Sequence, residues 1–138
     1  MAVITGYISI ATQGQGDIID ITLDAQKIVT RNKIQDGLLC LFVPGSTAAI
    51  TTIEFEPGLQ KDINLFLEKI IPRNAHYHHH DTWHDDNGSS HLRASMIGPS
   101  ITVPIVDGTL TLGTWQQIVV IECDTRKRNR KIVAQIVY

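Results

Sequence analysis

A chain of 138 residues, 43% hydrophobic and 19% charged, has the size and composition of one folded domain (1–138) and not of a disordered segment. Twelve basic against fourteen acidic residues leave a net charge of −2, so bulk charge gives no grounds for a nucleic-acid or anionic-membrane partner. No apolar run approaches the roughly 18 residues of a membrane span, and the first residues lack signal-peptide features, so a cytoplasmic location is expected.

Ile, Val and Thr make up 42 of the 138 residues, and such β-branched side chains favour strands. Residues 2–11 and 17–21 read as β segments around the turn Gln13–Gly16. A weakly amphipathic helix is predicted at 23–35, with Ala25, Ile28, Val29 and Asn32 on one stripe and Gly37 as its stop. LLCLFVP (38–44) is continuously apolar, the pattern of a strand covered on both faces. Cys40 and Cys123 lie in apolar runs and read as buried, reduced thiols.

Gly45-Ser46-Thr47 follows. A glycine before two hydroxyl residues offers N–H and O–H donors to a phosphate or other anion, and equally makes an ordinary turn. Segment 48–56 alternates as a strand. A helix at 58–71, with Pro57 in its first turn and Pro72 as its stop, carries Leu59, Ile63, Phe66, Leu67, Ile70 and Ile71 on a stripe predicted to be core.

All six histidines fall within His76–His91, together with Asp81, Asp85 and Asp86. Imidazole and carboxylate together suit a divalent ion such as zinc or magnesium, although no zinc-finger spacing is present. In an extended run, His76, His78 and His80 point one way and His79 the other.

A strand is predicted at 91–97, with Leu92, Ala94 and Met96 inward and His91, Arg93 and Ser95 on the opposite face. There Arg93 would grip a phosphate or carboxylate. The alternative for Arg93 is a surface salt bridge to Glu54 or Glu56. Further strands are expected at 100–106, 109–112, 115–123 and 131–138, pairing antiparallel across Gly98-Pro99, Asp107-Gly108 and the Asp124–Arg130 link. The fold class is α+β, mainly β: an antiparallel β-sandwich or pseudo-barrel with two flanking helices.

LFVPGSTAAITTIEFEPGLQKDI (41–63), Tyr77-His78-His79, DDNGSSHLRASMIGPS (85–100) and ITVPIVDGTLTLGTWQQIVVIE (101–122) resemble the YjbQ-like family, described as secondary thiamine-phosphate synthases. The resemblance implies a jelly-roll-like sandwich and a homotrimer. It also implies a transferase joining a hydroxymethylpyrimidine diphosphate to a thiazole phosphate with release of diphosphate. Many relatives have His-Thr-Thr where this chain has Gly45-Ser46-Thr47, and His-x-His where it has Ser89-Ser90-His91.

The expected metal site is therefore His79, which keeps the family's Tyr-x-His step, with His91 and with Asp85 or Asp86 as a ligand or as the carboxylate that supports one. His84 is added to replace the imidazoles missing at Gly45 and Ser89. Arg93 and His91 are the expected catalytic residues, and Glu54 and Gln116, polar on otherwise apolar strands, are expected in the same cavity. Apolar residues on both faces of 115–123 and 132–138 add to the expectation of a trimer. Two other functions remain in view: a metal or small-ligand binding module without turnover, and a different metal-assisted enzyme acting on a phosphorylated metabolite.

Overall fold

In the computed structural model, which describes residues 1–138, eight strands and four helices form an α+β fold that is mainly β. The strands are β1 (Val3–Ala11), β2 (Ile18–Asp20), β3 (Gly37–Phe42), β4 (Ala48–Ile53), β5 (Ser100–Val106), β6 (Thr109–Leu110), β7 (Gln117–Glu122) and β8 (Asn129–Val137). The helices are α1 (Thr22–Arg31), α2 (Pro57–Ile70), α3 (His78–Trp83) and α4 (Gly88–Ile97). One sheet runs β1-β8-β3-β5-β6 and the other β2-β7-β4, and every pairing is antiparallel.

The two sheets enclose one core. Leu39, Leu41, Val103, Ile105, Ile132 and Ile136 from the larger sheet meet Ile50, Ile118 and Val120 from the smaller, and Ala25, Ile28 and Val29 of α1 close one end. The helix predicted at 23–35 thus forms over Thr22–Arg31, ending four residues short, and buries Ala25, Ile28 and Val29 of the predicted stripe, while Asn32 is its exposed C-cap. No helix is long and apolar enough to cross a membrane.

Segment 91–97 is a helix, not a strand. Its alternating Leu92, Ala94 and Met96 mimic a strand, but Ser90, Arg93, Ala94 and Ile97 recur at i, i+3, i+4 and i+7, a helical face. That face packs Ala94, with Ile97 beside it, on Val119, Ile121 and Ile18, the outer side of the small sheet. Because α4 covers this side, Val119 and Ile121 on the second face of 115–123 are buried within the chain, whereas Trp115 at the start of the segment is exposed.

With most of that face taken, α2 reaches it through Ile63, which is half-buried against the same cluster. Of its predicted core stripe only Leu67 is buried, while Leu65, Phe66 and Ile70 face outward. β3 differs similarly. Leu39 and Leu41 are buried, but Leu38 and Phe42 stand exposed on the outer face, in register with Val137 and Val133 of β8. The Asp124–Arg130 link is no hairpin: it carries the chain from β7 in one sheet to β8 in the other. Gly98-Pro99 likewise joins α4 to β5, so of the three expected turns only Asp107-Gly108 closes a strand pair.

This crossing between sheets is pinned by a buried ionic cluster that the strand patterns conceal. Arg130 donates through Nε to Glu122 Oε2 at 2.9 Å and through Nη2 to Glu122 Oε1. Thr12 donates to the same carboxylate, and Arg128 Nη1 donates to Asp124 Oδ2 at 2.8 Å. Glu122, Asp124 and Arg130 are all buried.

Candidate functional site

Residues His78–Trp83 of the histidine segment form a surface helix with no buried residue, so the expected strand-like alternation does not apply. α3 ends at His84, whose φ of 55° is left-handed and whose N–H is bonded to His80 O at 2.7 Å. α4 begins hard against α3: a Cβ on Gly88 would fall 2.5 Å from Tyr77 Cβ, so only glycine permits this approach. The close junction sets His79, on α3, over His91, on α4, with ring centroids 4.4 Å apart.

Asp85 lies beside them, its Oδ2 3.5 Å from His79 Nε2. With its NH2 turned inward, Asn87 reaches Asp85 Oδ1 at 2.9 Å, Asp85 Oδ2 at 3.1 Å and His79 Nε2 at 3.0 Å. Turned the other way, its carbonyl oxygen faces the Asp85 carboxylate and accepts only from His79 Nε2–H, in the tautomer that carries the proton there, so the NH2-inward orientation satisfies the group within the chain. Separations near 3 Å are those of neighbouring ligands around an ion held at about 2.1 Å. Asn87 escaped the sequence reading because a neutral amide carries no titration signal; its place in Asp85-Asp86-Asn87 was the only cue.

The remaining expected residues are spread more widely. His84 stacks edge-on with His80, centroids 5.4 Å apart, and stands outside the His79–Asp85–Asn87 group. His80 Nδ1 pairs with Asp86 Oδ1 at 2.8 Å. His76, His78 and Asp81 make a second carboxylate–imidazole group whose ligand atoms all lie within 4.8 Å of one another, but all three are exposed.

Gly45 and Ser46 line a cleft of about 530 Å³ with His91, Leu92, Ser95 and Pro99. Thr47 does not share their exposure. Its hydroxyl is buried, donating to Asp124 Oδ2 at 3.1 Å and accepting from Arg130 Nη2 at 3.0 Å. Glu54 and Gln116 lie beyond the opposite end of β4 from Gly45 and do not line this cleft. Gln116 instead accepts from Gly113 N and donates to Thr52 Oγ1, tying down the turn before β7.

Arg93 cannot grip a ligand as expected, because α4 turns it into the protein. It is 2% exposed, and Nε and Nη2 donate to Ile71 O at 3.1 and 2.7 Å. Its ionic partner is Glu68, at 2.7 Å, rather than Glu54 or Glu56. The Arg73 backbone N–H and the Arg93 guanidinium hold the Glu68 carboxyl below its ordinary 4.5. A lowered folded pKa gives stability that is present above about pH 4.5 and lost as pH falls through the lowered value. Thermal midpoints taken down this range should fall for the native chain and fall less for Glu68→Gln. Burial pushes the Cys123 thiol up to about 12, so it is chemically quiet.

The family model described as "UPF0047 protein YjbQ-like" matches residues 6–138. A UPF0047 protein of Methanothermobacter thermautotrophicus is 39% identical over 132 residues, covering 96% of this chain and 90% of its own length. One of Archaeoglobus fulgidus is 37% identical over 126 residues, covering 91% of this chain and 96% of the relative. Among solved structures, a Sulfolobus solfataricus protein described as YbjQ-like and of unknown function superposes with a TM-score of 0.87 at 31% identity, covering 98% of each chain. A hypothetical protein from Aeropyrum pernix gives 0.88 at 31% identity, covering 96% of this chain and 97% of its own.

Proposed function

Since the chain belongs to the UPF0047 YjbQ-like family, we propose that it is a metal-assisted transferase of the secondary thiamine-phosphate synthase kind. In this reading His79, Asp85 and Asn87 hold a divalent ion, His91 serves as the proton-handling group, and Gly45 and Ser46 receive a substrate phosphate. The carrying observation is the convergence of His79 Nε2, both Asp85 oxygens and the Asn87 amide within 2.9–3.5 Å, beside a cleft that His91 shares with Gly45 and Ser46.

The ion, when bound, supplies charge stabilisation for a departing diphosphate. The chain's own residues position the reactants. His91, between the acidic group and the cleft, is placed to take or give a proton at the edge of the bound substrate. Purified protein with a divalent ion should form thiamine phosphate from the two phosphorylated precursors, above a control of ion alone. One observation favours binding without turnover: Arg93 is committed to Glu68 and Ile71 and brings no charge to a diphosphate. Ligand binding with no product would select that second reading.

We also propose a homotrimer, as the resemblance implies. Leu65, Phe66 and Ile70 on α2, and Val3, Tyr7, Leu38 and Phe42 on the outer face of the large sheet, are exposed apolar side chains that support it. Light scattering should report about 46 kDa, three times the 15.3 kDa chain. A stable species of one chain mass would contradict it.

A further inference from the structure

We propose that Arg130, reaching through the opening that Gly45 leaves, is the cation that grips the substrate's phosphate group. The inference rests on the reading of the Gly45–Ser46 cleft as the phosphate site and replaces Arg93 in that role.

Arg130 is 5% exposed, and its guanidinium is only partly used. Nε and Nη2 are bonded to Glu122 and Thr47, whereas Nη1 has no partner in the chain. A Cβ placed on Gly45 would come within 3.2 Å of Nη1 and meet nothing else within 4 Å. The absent side chain at Gly45 is therefore what leaves this one donor open to the loop. Gly45 has a φ of +110°, a conformation that also favours glycine.

The loop brings donors of its own. The backbone N–H groups of Gly45, Ser46 and Thr47 have no acceptor within the chain. Consecutive free amides beside a fixed guanidinium nitrogen are the elements of an oxyanion site. Nη1 and the amides of Gly45 and Ser46 supply three donors at the cleft, one for each terminal oxygen of a phosphate monoester or the end of a diphosphate and one more than a carboxylate's two oxygens. The Glu122 carboxylate holds the guanidinium plane in place, and Asp124 and Arg128 balance the local charge. Recognition here depends on donor geometry more than on net charge.

Inorganic phosphate is the probe, titrated into the full ¹⁵N-labelled chain and followed by NMR. The native protein should show saturable shifts at the amides of Gly45, Ser46 and Thr47 and at the Arg130 side chain. Gly45→Ala, which sets a methyl group against Nη1, and Arg130→Lys, whose single ammonium stays with Glu122, should each weaken phosphate binding about tenfold or more. If Arg130→Lys fails to fold, Gly45→Ala, which leaves the Glu122 pair intact, decides. His79→Ala should bind phosphate as the native chain does. Phosphate binding of this pattern without any turnover would support the inference while removing only the transferase reading. No shifts at residues 45–47, or native affinity in Gly45→Ala, would overturn it.

Discussion

Glu122→Ala is expected to cost about 3–5 kcal/mol of stability, a fall in Tm on the order of 10–20 °C for a domain this size. Glu122 is 1% exposed and takes two hydrogen bonds from Arg130, one from Thr12 and one from the Asp124 backbone N–H. Removing it strands a largely buried guanidinium without its counter-charge where β7 leaves one sheet and β8 enters the other. The damage lies in that uncompensated charge rather than in the lost attraction, so Glu122→Gln, which keeps some acceptor capacity, should fall between the two. Chemical denaturation checks this. A loss under about 1 kcal/mol, the range of an exposed pair, would mean the cluster is hydrated.

The second large effect concerns His91. If it handles the proton, His91→Ala should lower turnover by about 10²–10⁴ with the chain still folded. Metal affinity should respond differently. His79→Ala should weaken it by about tenfold or more, because His79 and Asp85 lie in the acceptor group, while His91 touches only the His79 ring. His76→Ala should leave turnover unchanged, since that residue belongs to the exposed group. Calorimetric titration with the metal and steady-state assays separate the two roles.

Strands with one clear face were legible in the sequence. β1, β5 and β8 lie close to where alternation placed them, and Pro57 and Pro72 bracketed α2. What sequence could not convey was which surface each apolar stripe meets. Seven residues at 91–97 satisfy period two and period 3.6 together, and only the bare outer side of β7 decides for helix. That one reversal moved Arg93 from the cleft into the interior, and the helical turn at 78–83 removed the alternation used to sort the histidines. His79, Asp85 and His91 are brought close, and His84 is not, because its left-handed cap turns it toward His80. Arg130 and Glu122 were invisible as a pair, since nothing in two β segments announces that they face each other across eight residues.

Anomalous diffraction from crystals soaked in zinc tests the central claim most directly. The account predicts a peak bonded to His79 Nε2 and Asp85, with the Asn87 carbonyl oxygen turned toward it, at about 2.0–2.2 Å from the nitrogen and the carboxylate oxygen. A peak confined to His76, His78 and Asp81, or no peak with Asn87 donating its NH2 to Asp85, would contradict it.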